Sequence, residues 1–325
     1  MDLNNVKGKL RNRFLKQNTK NKTRIGLDWG FSSLKVVILE LQNDTYLLKD
    51  ARIVEFPSQD SKLGPLIKDL DFSDGVNLGI CGPNVVVRYM AMAKMSENDF
   101  RNSLRYEAAQ HLPFPVEEVN LDGAILKELP NNQMLVMLVA ARKDFINQRL
   151  KVFQEAGIDV RILDIDSLAL INAFNYNCIH KAPKEDAKEK DASSGAVALL
   201  NIGASVTNIN VLEQGIPHFS RDINVAGRDF VSDSFREVSI ANFVSEISKS
   251  FDYYETGSTA VINKIFLSGG GSLSAGLDAN LNNLLGIKIE KWDPFGIFKF
   301  VPGLDEPNIR KNAAQFGVAV GLALR

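Results

Sequence analysis

Two stretches of the chain place an acid or amide, a glycine and hydroxyl side chains where a backbone turn could hold phosphate oxygens. The first is Ile25-Gly-Leu-Asp28-Trp-Gly30-Phe-Ser32-Ser33-Leu-Lys35, running into Val36-Val-Ile-Leu39. The second is Ala198-Leu-Leu-Asn201-Ile-Gly203-Ala-Ser205-Val-Thr207-Asn, running into Ile209-Asn-Val-Leu212. Superposing Asp28 on Asn201 also superposes Gly30 on Gly203 and Ser32 on Ser205, which reads as an internal duplication. Each copy predicts a strand, a tight turn and a second β-branched strand, the pattern of a hairpin. Glycine in the turn lets backbone N–H groups approach an anion, and hydroxyls beside it add donors. One such hairpin is ordinary; two facing each other across a cleft would clamp a phosphate. Lys35 either adds a cation to that clamp or points outward as a strand lysine.

A third glycine motif follows. Lys264-Ile-Phe-Leu267 reads as a strand, Ser268-Gly269-Gly270-Gly271-Ser272 as a turn, and Gly276-Leu277 to Leu285 as a helix stopped by Gly286, before a strand beginning at Ile287-Lys-Ile289. Three consecutive glycines have no packing use by themselves, so this backbone is expected to lie against a nucleoside or phosphate. Asp166–Ala173 and Asn312–Ala323 are helical segments rich in small residues, suited to a close helix crossing.

The elements that must position these turns fit a soluble chain of about two domains. Of 325 residues, 45% are hydrophobic and 24% charged. With 38 Lys plus Arg against 39 Asp plus Glu, there is no overall field to gather nucleic acid, so a nucleic-acid enzyme is excluded as a class. Cys81 and Cys178 make neither a disulfide framework nor a zinc cluster, and the three histidines lack ligand spacing. No apolar run is long enough to span a bilayer and no signal peptide is present, which predicts a cytoplasmic protein. The N-terminal leader is basic, with Leu3, Val6, Leu10 and Phe14 at helical spacing. It reads either as a solvated tail or as an amphipathic helix on an anionic membrane. Lys181–Ser194 is charged and nearly devoid of apolar residues, and reads as a linker.

Between the first two motifs lies a small helix-and-sheet unit. Ser96-Glu-Asn-Asp99 resembles a capping box, and Phe100, Leu104 and Ala108 share the face of a helix that ends at Pro113-Phe-Pro115. Strands follow at Val119–Leu126 and Met134–Ala141, then a helix at Asp144–Ala156 closed by Gly157.

Two phosphate hairpins and a strand-glycine-helix turn, in that order, resemble the actin/Hsp70/sugar-kinase superfamily. Tyr106-Glu107-Ala-Ala-Gln110-His-Leu-Pro113-Phe114-Pro115-Val-Glu-Glu118 with Leu121-Asp122, Phe219-Ser-Arg221-Asp222 and Glu246-Ile-Ser-Lys-Ser-Phe-Asp-Tyr253-Tyr254 narrow the resemblance to the PilM family of type IV pilus assembly proteins, over about residues 24–325.

The resemblance implies an α/β, actin-like fold: two ribonuclease-H-like domains around a cleft, a small α/β insertion in the first and a truncated insertion in the second. The expected organisation is a basic leader at 1–23 and a first domain at 24–180 with its insertion at about 85–165. A charged linker at 181–195, a second domain at 196–308 and a hinge helix at 309–325 returning to the first domain complete it.

By position, Asp28, Gly30, Ser32, Ser33 and Lys35 form the first phosphate loop. Asn201, Gly203 and Thr207 belong to the second, and Gly269, Gly270 and Gly271 to an adenosine contact; Asp28 is the expected water-mediated magnesium contact. Two departures weaken or remove ATP and Mg²⁺ binding. Asn201 stands where the family has Asp and loses the negative charge that draws Mg²⁺ with its waters. Only Arg228 to Asn242 lie between Gly227 and Phe243, where the family carries a subdomain over the nucleotide, and Ala226-Gly227 replaces paired glycines. A cleft missing a wall buries less ligand.

Two functions follow. One is a cytoplasmic scaffold at the inner-membrane platform, receiving the N-terminal peptide of a PilN-like membrane partner beside the insertion. The other is an ATP-binding switch or weak ATPase of the same machinery, with Asp28 and Asp222 as the only candidate bases for water. A sugar or acetate kinase is a distant third, since no charged cluster suggests a second-substrate pocket.

Overall fold

A computed structural model describes residues 23–43, 45–56, 63–67, 69–180, 195–230 and 236–325. The basic leader through residue 22 and the charged stretch 181–194 lie outside the described residues.

The first lobe begins with a meander: β1 (Thr23–Trp29), β2 (Ser33–Gln42) and β3 (Thr45–Glu55). A short helix α1 (Leu63–Ile67) leads to β4 (Val76–Ile80). The chain then leaves the lobe for β5 (Val85–Ala93), α2 (Glu97–His111), β6 (Val119–Leu129) and β7 (Gln133–Arg142). These form a separate sheet in the order β5-β7-β6 under α2. It returns through α3 (Lys143–Glu155), β8 (Val160–Ile165) and α4 (Asp166–His180).

The second lobe repeats the plan with β9 (Ala196–Ile202), β10 (Thr207–Glu213), β11 (Ile216–Ile223), α5 (Arg236–Gly257), β12 (Ile262–Ser268), α6 (Leu277–Leu285) and β13 (Lys288–Lys291). Its sheet order, β11-β10-β9-β12-β13, matches β3-β2-β1-β4-β8 strand for strand, three antiparallel then two parallel. After β13 the chain crosses back. β14 (Lys299–Phe300) pairs parallel with β3, and α7 (Glu306–Lys311) and α8 (Gly317–Ala323) follow.

Strand sequence explains placement. All five residues of β4 are buried, as a central parallel strand covered on both faces requires. In the insertion, Phe100 and Ala108 of α2 are buried and Leu104 packs beside them over Gly123, where a Cβ would stand 2.6 Å from Leu104 Cδ1. Ser96 caps α2 by accepting the Asp99 N–H at 3.1 Å, but the box is not reciprocal. Asp99, a methylene shorter than the usual glutamate, accepts the Ser96 hydroxyl at 2.6 Å instead.

The lobes share one core, built from α4 and α8 with Leu199 and Leu212 of the second lobe and Trp292, Phe295 and Phe316 of the returning segment. The small residues are needed there. A Cβ on Gly321 would sit 1.7 Å from the Ala169 carbonyl oxygen, and one on Gly26 2.0 Å from the Ala319 carbonyl oxygen.

The single hinge helix expected over 309–325 is three pieces. Between α7 and α8 the backbone tightens into a 3-10 turn, Ala313–Phe316, after Asn312 leaves helical geometry and turns its side-chain amide onto the Asn308 carbonyl. That turn buries Phe316 and leaves the Ala314 carbonyl to accept the Gly269 N–H at 2.7 Å. The end of α8 is fastened to the first lobe by Asn77, whose amide donates to the Leu322 carbonyl at 2.9 Å, and by the Arg325–Asp164 ion pair. No helix among the described residues is long and apolar enough to cross a membrane.

The crossing generates a stability prediction. Gly321→Ala is expected to lower the thermal midpoint strongly, because its methyl meets backbone that no rotamer change can move, at a cost of about 1–3 kcal/mol or more. Gly64→Ala, in a short helix with open space around it, is expected to leave the midpoint unchanged or slightly raised. Thermal denaturation of the two variants beside the parent checks this.

Candidate functional site

The two glycine turns are the same turn. Gly30 N–H donates to the Ser33 carbonyl at 3.1 Å, and Gly203 N–H to the Val206 carbonyl at 3.0 Å. The flanking registers also correspond: Trp29 faces Leu34 and Asp28 faces Lys35, while Ile202 faces Thr207 and Asn201 faces Asn208.

Superposition therefore lays Lys35 on Asn208 as well as Asp28 on Asn201, so a charge pair in one copy is an amide pair in the other. Lys35 points inward. Its Nζ stands 3.5 Å from Asp28 Oδ2, with both side chains largely buried. Asn201 Oδ1 accepts the Ser268 hydroxyl at 3.3 Å, and Asn208 donates to Asp222 at 2.7 Å.

The remaining expected site residues divide by what holds them. Ser33 is buried, while Ser32 is exposed beside the exposed Phe31 at the tip of the first turn. Thr207 is fully buried and its hydroxyl donates to the Val225 carbonyl at 2.8 Å. In the second turn Ser205 Oγ is buried without a hydrogen-bond partner.

The glycine triplet needs correction, for two of its members do have a packing use. Gly269 adopts φ +81°, and a Cβ there would meet the Ile202 carbonyl oxygen at 2.3 Å. One on Gly271 would meet Ile202 Cγ2 at the same distance. Only Gly270 looks onto movable atoms, the side-chain amide of Gln315. Gly227 completes the cluster, donating its N–H to the Gly203 carbonyl at 2.8 Å and lying 3.0 Å, from its would-be Cβ, to the Gly271 Cα. The second turn, Ala226-Gly227 and the triplet thus form one backbone-on-backbone knot. One 3-10 turn, Gly227–Phe230, is all that is described before α5 begins at Arg236.

Asp166 was not among the expected site residues. It opens α4 at the carboxyl end of β8, where ligands of open α/β sheets sit, and that position is the signal by which sequence reasoning could have found it. Its Oδ1 is buried with no hydrogen-bond partner and would be displaced by any side chain at Gly79. Burial, then the nearby Asp28 carboxylate, push its pKa up to about 7. The Asp166 charge in turn pushes the Cys81 thiol well up, helped by Asp222 and Asp28. Asp222 is itself raised by burial, against hydrogen bonds from Asn208 and from the Gly82 backbone.

Asp28 comes from the first hairpin and Asp222 from the second, and the charges of both act on Asp166. Bare phosphate would meet net negative charge there, with Lys35 already engaged by Asp28. The arrangement suits a proton better than an unaccompanied anion; among the described residues no group of three acids, histidines or cysteines is placed to hold a metal ion.

A second concavity lies on the insertion, at its seam with the first lobe. It has two adjoining parts, of about 290 and 550 Å³. Leu104, Val116 and Leu121 give it an apolar floor, and Arg101, Arg105 and Lys143 a cationic rim. Tyr106 and Phe114 extend it toward the Pro-Phe-Pro corner, and Tyr106 is 72% exposed. Arg105 is steadied by Glu117 at 3.0 Å and Lys143 by the Glu117 carbonyl at 2.7 Å.

Comparison with known proteins bears on the family and the fold. The family described as type IV pilus assembly protein PilM matches residues 26–240 and 237–325. The chain is similar to a solved PilM-PilN type IV pilus biogenesis complex, at 24% identity over 93% of this chain and 98% of that one, with a TM-score of 0.77. A protein of actin-like ATPase fold from Bacteroides thetaiotaomicron matches at 13% identity over 82% and 90% of the two chains, TM-score 0.49. The cytoplasmic domain of EpsL, an inner-membrane component of the Vibrio cholerae type II secretion system, matches at 10% over 93% and 94%, TM-score 0.45. The fold of the chain is that of the solved PilM-PilN complex's matching chain.

The acid cluster generates a pH prediction. Asp166 holds its proton in the folded protein up to about 7 and loses it near 3.8 when unfolded. Its contribution to stability is therefore present at low pH and lost as pH rises between those values. Asp166→Asn is expected to raise the thermal midpoint above pH 7 and to converge with the parent near pH 4. Melting curves across that range measure it.

Proposed function

The chain belongs to the PilM family of type IV pilus assembly proteins, and from that premise we propose that it is a cytoplasmic scaffold of the inner-membrane platform. In this reading the groove on the insertion receives the N-terminal peptide of a PilN-like membrane protein. The observation that carries the reading is the groove itself, an apolar floor under a rim of Arg101, Arg105 and Lys143. Such a lining takes apolar side chains of an extended peptide below and hydrogen-bonds its carbonyls or acidic groups above. The solved complex of similar fold contains PilM and PilN, which supports the choice of partner.

The same reading makes ATP and Mg²⁺ secondary. Nucleotide would be held by the turns at Gly30 and Gly203, by Gly270, the one glycine of the triplet that looks onto movable atoms, and by a hydrated cation at Asp28. Asn201 supplies an amide oxygen where an acid would draw that cation. Against this, the identical hydrogen bonding of the two turns keeps the cradle intact, and it favours the second reading, a nucleotide-responsive switch or weak ATPase. In that reading the nucleotide acts through its different affinity for open and closed lobes. The scaffold is preferred because Lys35 is already paired with Asp28 and Asn201 brings no charge to the second turn.

Two measurements test this. Arg105→Glu and Tyr106→Ala are expected to weaken binding of the partner's N-terminal peptide, read by fluorescence anisotropy, by about tenfold or more while leaving the thermal midpoint in place. Undiminished affinity in both variants overturns the groove assignment. Calorimetric titration with ATP and Mg²⁺ is expected to show weak binding at most. Tight binding abolished by Asp28→Ala gives preference to the switch.

A further inference from the structure

We propose that the tip of the β10–β11 hairpin is a latch that fastens the insertion to the second lobe and holds the cleft closed. The tip turns through Gln214 and Gly215, both at positive φ, so two residues reverse the chain. Glu213, just before the turn, stands 3.4 Å from Lys127 Nζ on β6 of the insertion. Its other oxygen accepts the Tyr254 hydroxyl at 2.9 Å and the Ser258 hydroxyl at 2.8 Å, and faces His218 Nδ1 at 3.2 Å. Just beyond, the Gly215 carbonyl accepts the Asn175 amide of α4 at 2.8 Å. One turn thus touches the insertion, its own lobe and the helix at the lobe crossing.

The charge balance makes Lys127 the releasable member. Glu213 keeps its two hydroxyl donors from the second lobe whether or not Lys127 is present, and those donors hold its carboxyl below the usual range. His218 is neutral, since burial and then Lys127 push its pKa down to about 4. The junction is therefore one cation against one anion, both largely shielded from water. Beyond the tip, β11 runs beside β5 of the insertion, so any rotation of the lobes about α4 and α8 must part this edge strand from the insertion.

Closure rests on these contacts alone. Coupling to a partner rests additionally on the groove assignment, because β6 carries Lys127 and its first residues line that groove. The test uses the full chain with Lys127→Glu, which turns attraction to repulsion, and Lys127→Met, which removes only the charge. Small-angle scattering and backbone hydrogen exchange read the outcome. Lys127→Glu is expected to enlarge the radius of gyration and speed exchange across residues 216–223 by about fivefold or more, with Lys127→Met intermediate. Unchanged scattering and exchange in Lys127→Glu overturns the latch. Adding the partner peptide separates the readings. Slowed exchange at 216–223 in the parent but not in Lys127→Glu supports coupling. Peptide that binds without that effect refutes coupling, and peptide that does not bind refutes the groove while leaving the latch result standing.

Discussion

The structure depends on how closely α4 and α8 approach each other. Ala169 presents its carbonyl where Gly321 has no side chain, and Gly26 and Ala319 repeat the contact one layer away. Interiors are packed so tightly that one misplaced methyl is felt. Here the tightness seats α8 against α4 and against β1, β2 and β4 of the first lobe. The shared core of α4, α8, Trp292 and Phe295 makes the crossing a fixed point about which the lobes are organised.

The gap is an electrostatic compromise. In the first hairpin Lys35 offsets Asp28; in the second Asn208 carries no charge and instead donates to Asp222. Asp166 has a buried Oδ1 without a hydrogen-bond partner, and burial with the Asp28 charge pushes its pKa up to about 7. Two turns of one backbone geometry thus carry two different charge patterns.

What the sequence made legible was whatever is local. The hairpin turns announce themselves because glycine, hydroxyls and flanking β-branched runs sit within a few residues, and their hydrogen bonds match position for position. The insertion's helix was readable from Ser96, Phe100, Leu104 and Ala108 in the same way. The glycine triplet was misread because the reason for Gly269 and Gly271 lies in Ile202, far away along the chain. Asp166 and Glu213 were missed for a like cause, their partners coming from other elements. The break between α7 and α8 was hidden because Ile309, Ala313 and Phe316 keep helical spacing across Asn312.

The returning segment has a consequence for biogenesis. β1 and β4 of the first lobe are covered by α8, whose first residue, Gly317, leaves the ribosome 294 positions after β1 begins at Thr23 and 241 after β4 begins at Val76. Until then Gly26 and Gly79 face an open groove, so the amino-terminal half cannot finish folding as it emerges and must wait, incompletely buried, for the end of translation. Contacts of such long range are slow to form, and nascent chains of this protein are correspondingly natural clients for chaperones that shelter apolar surface.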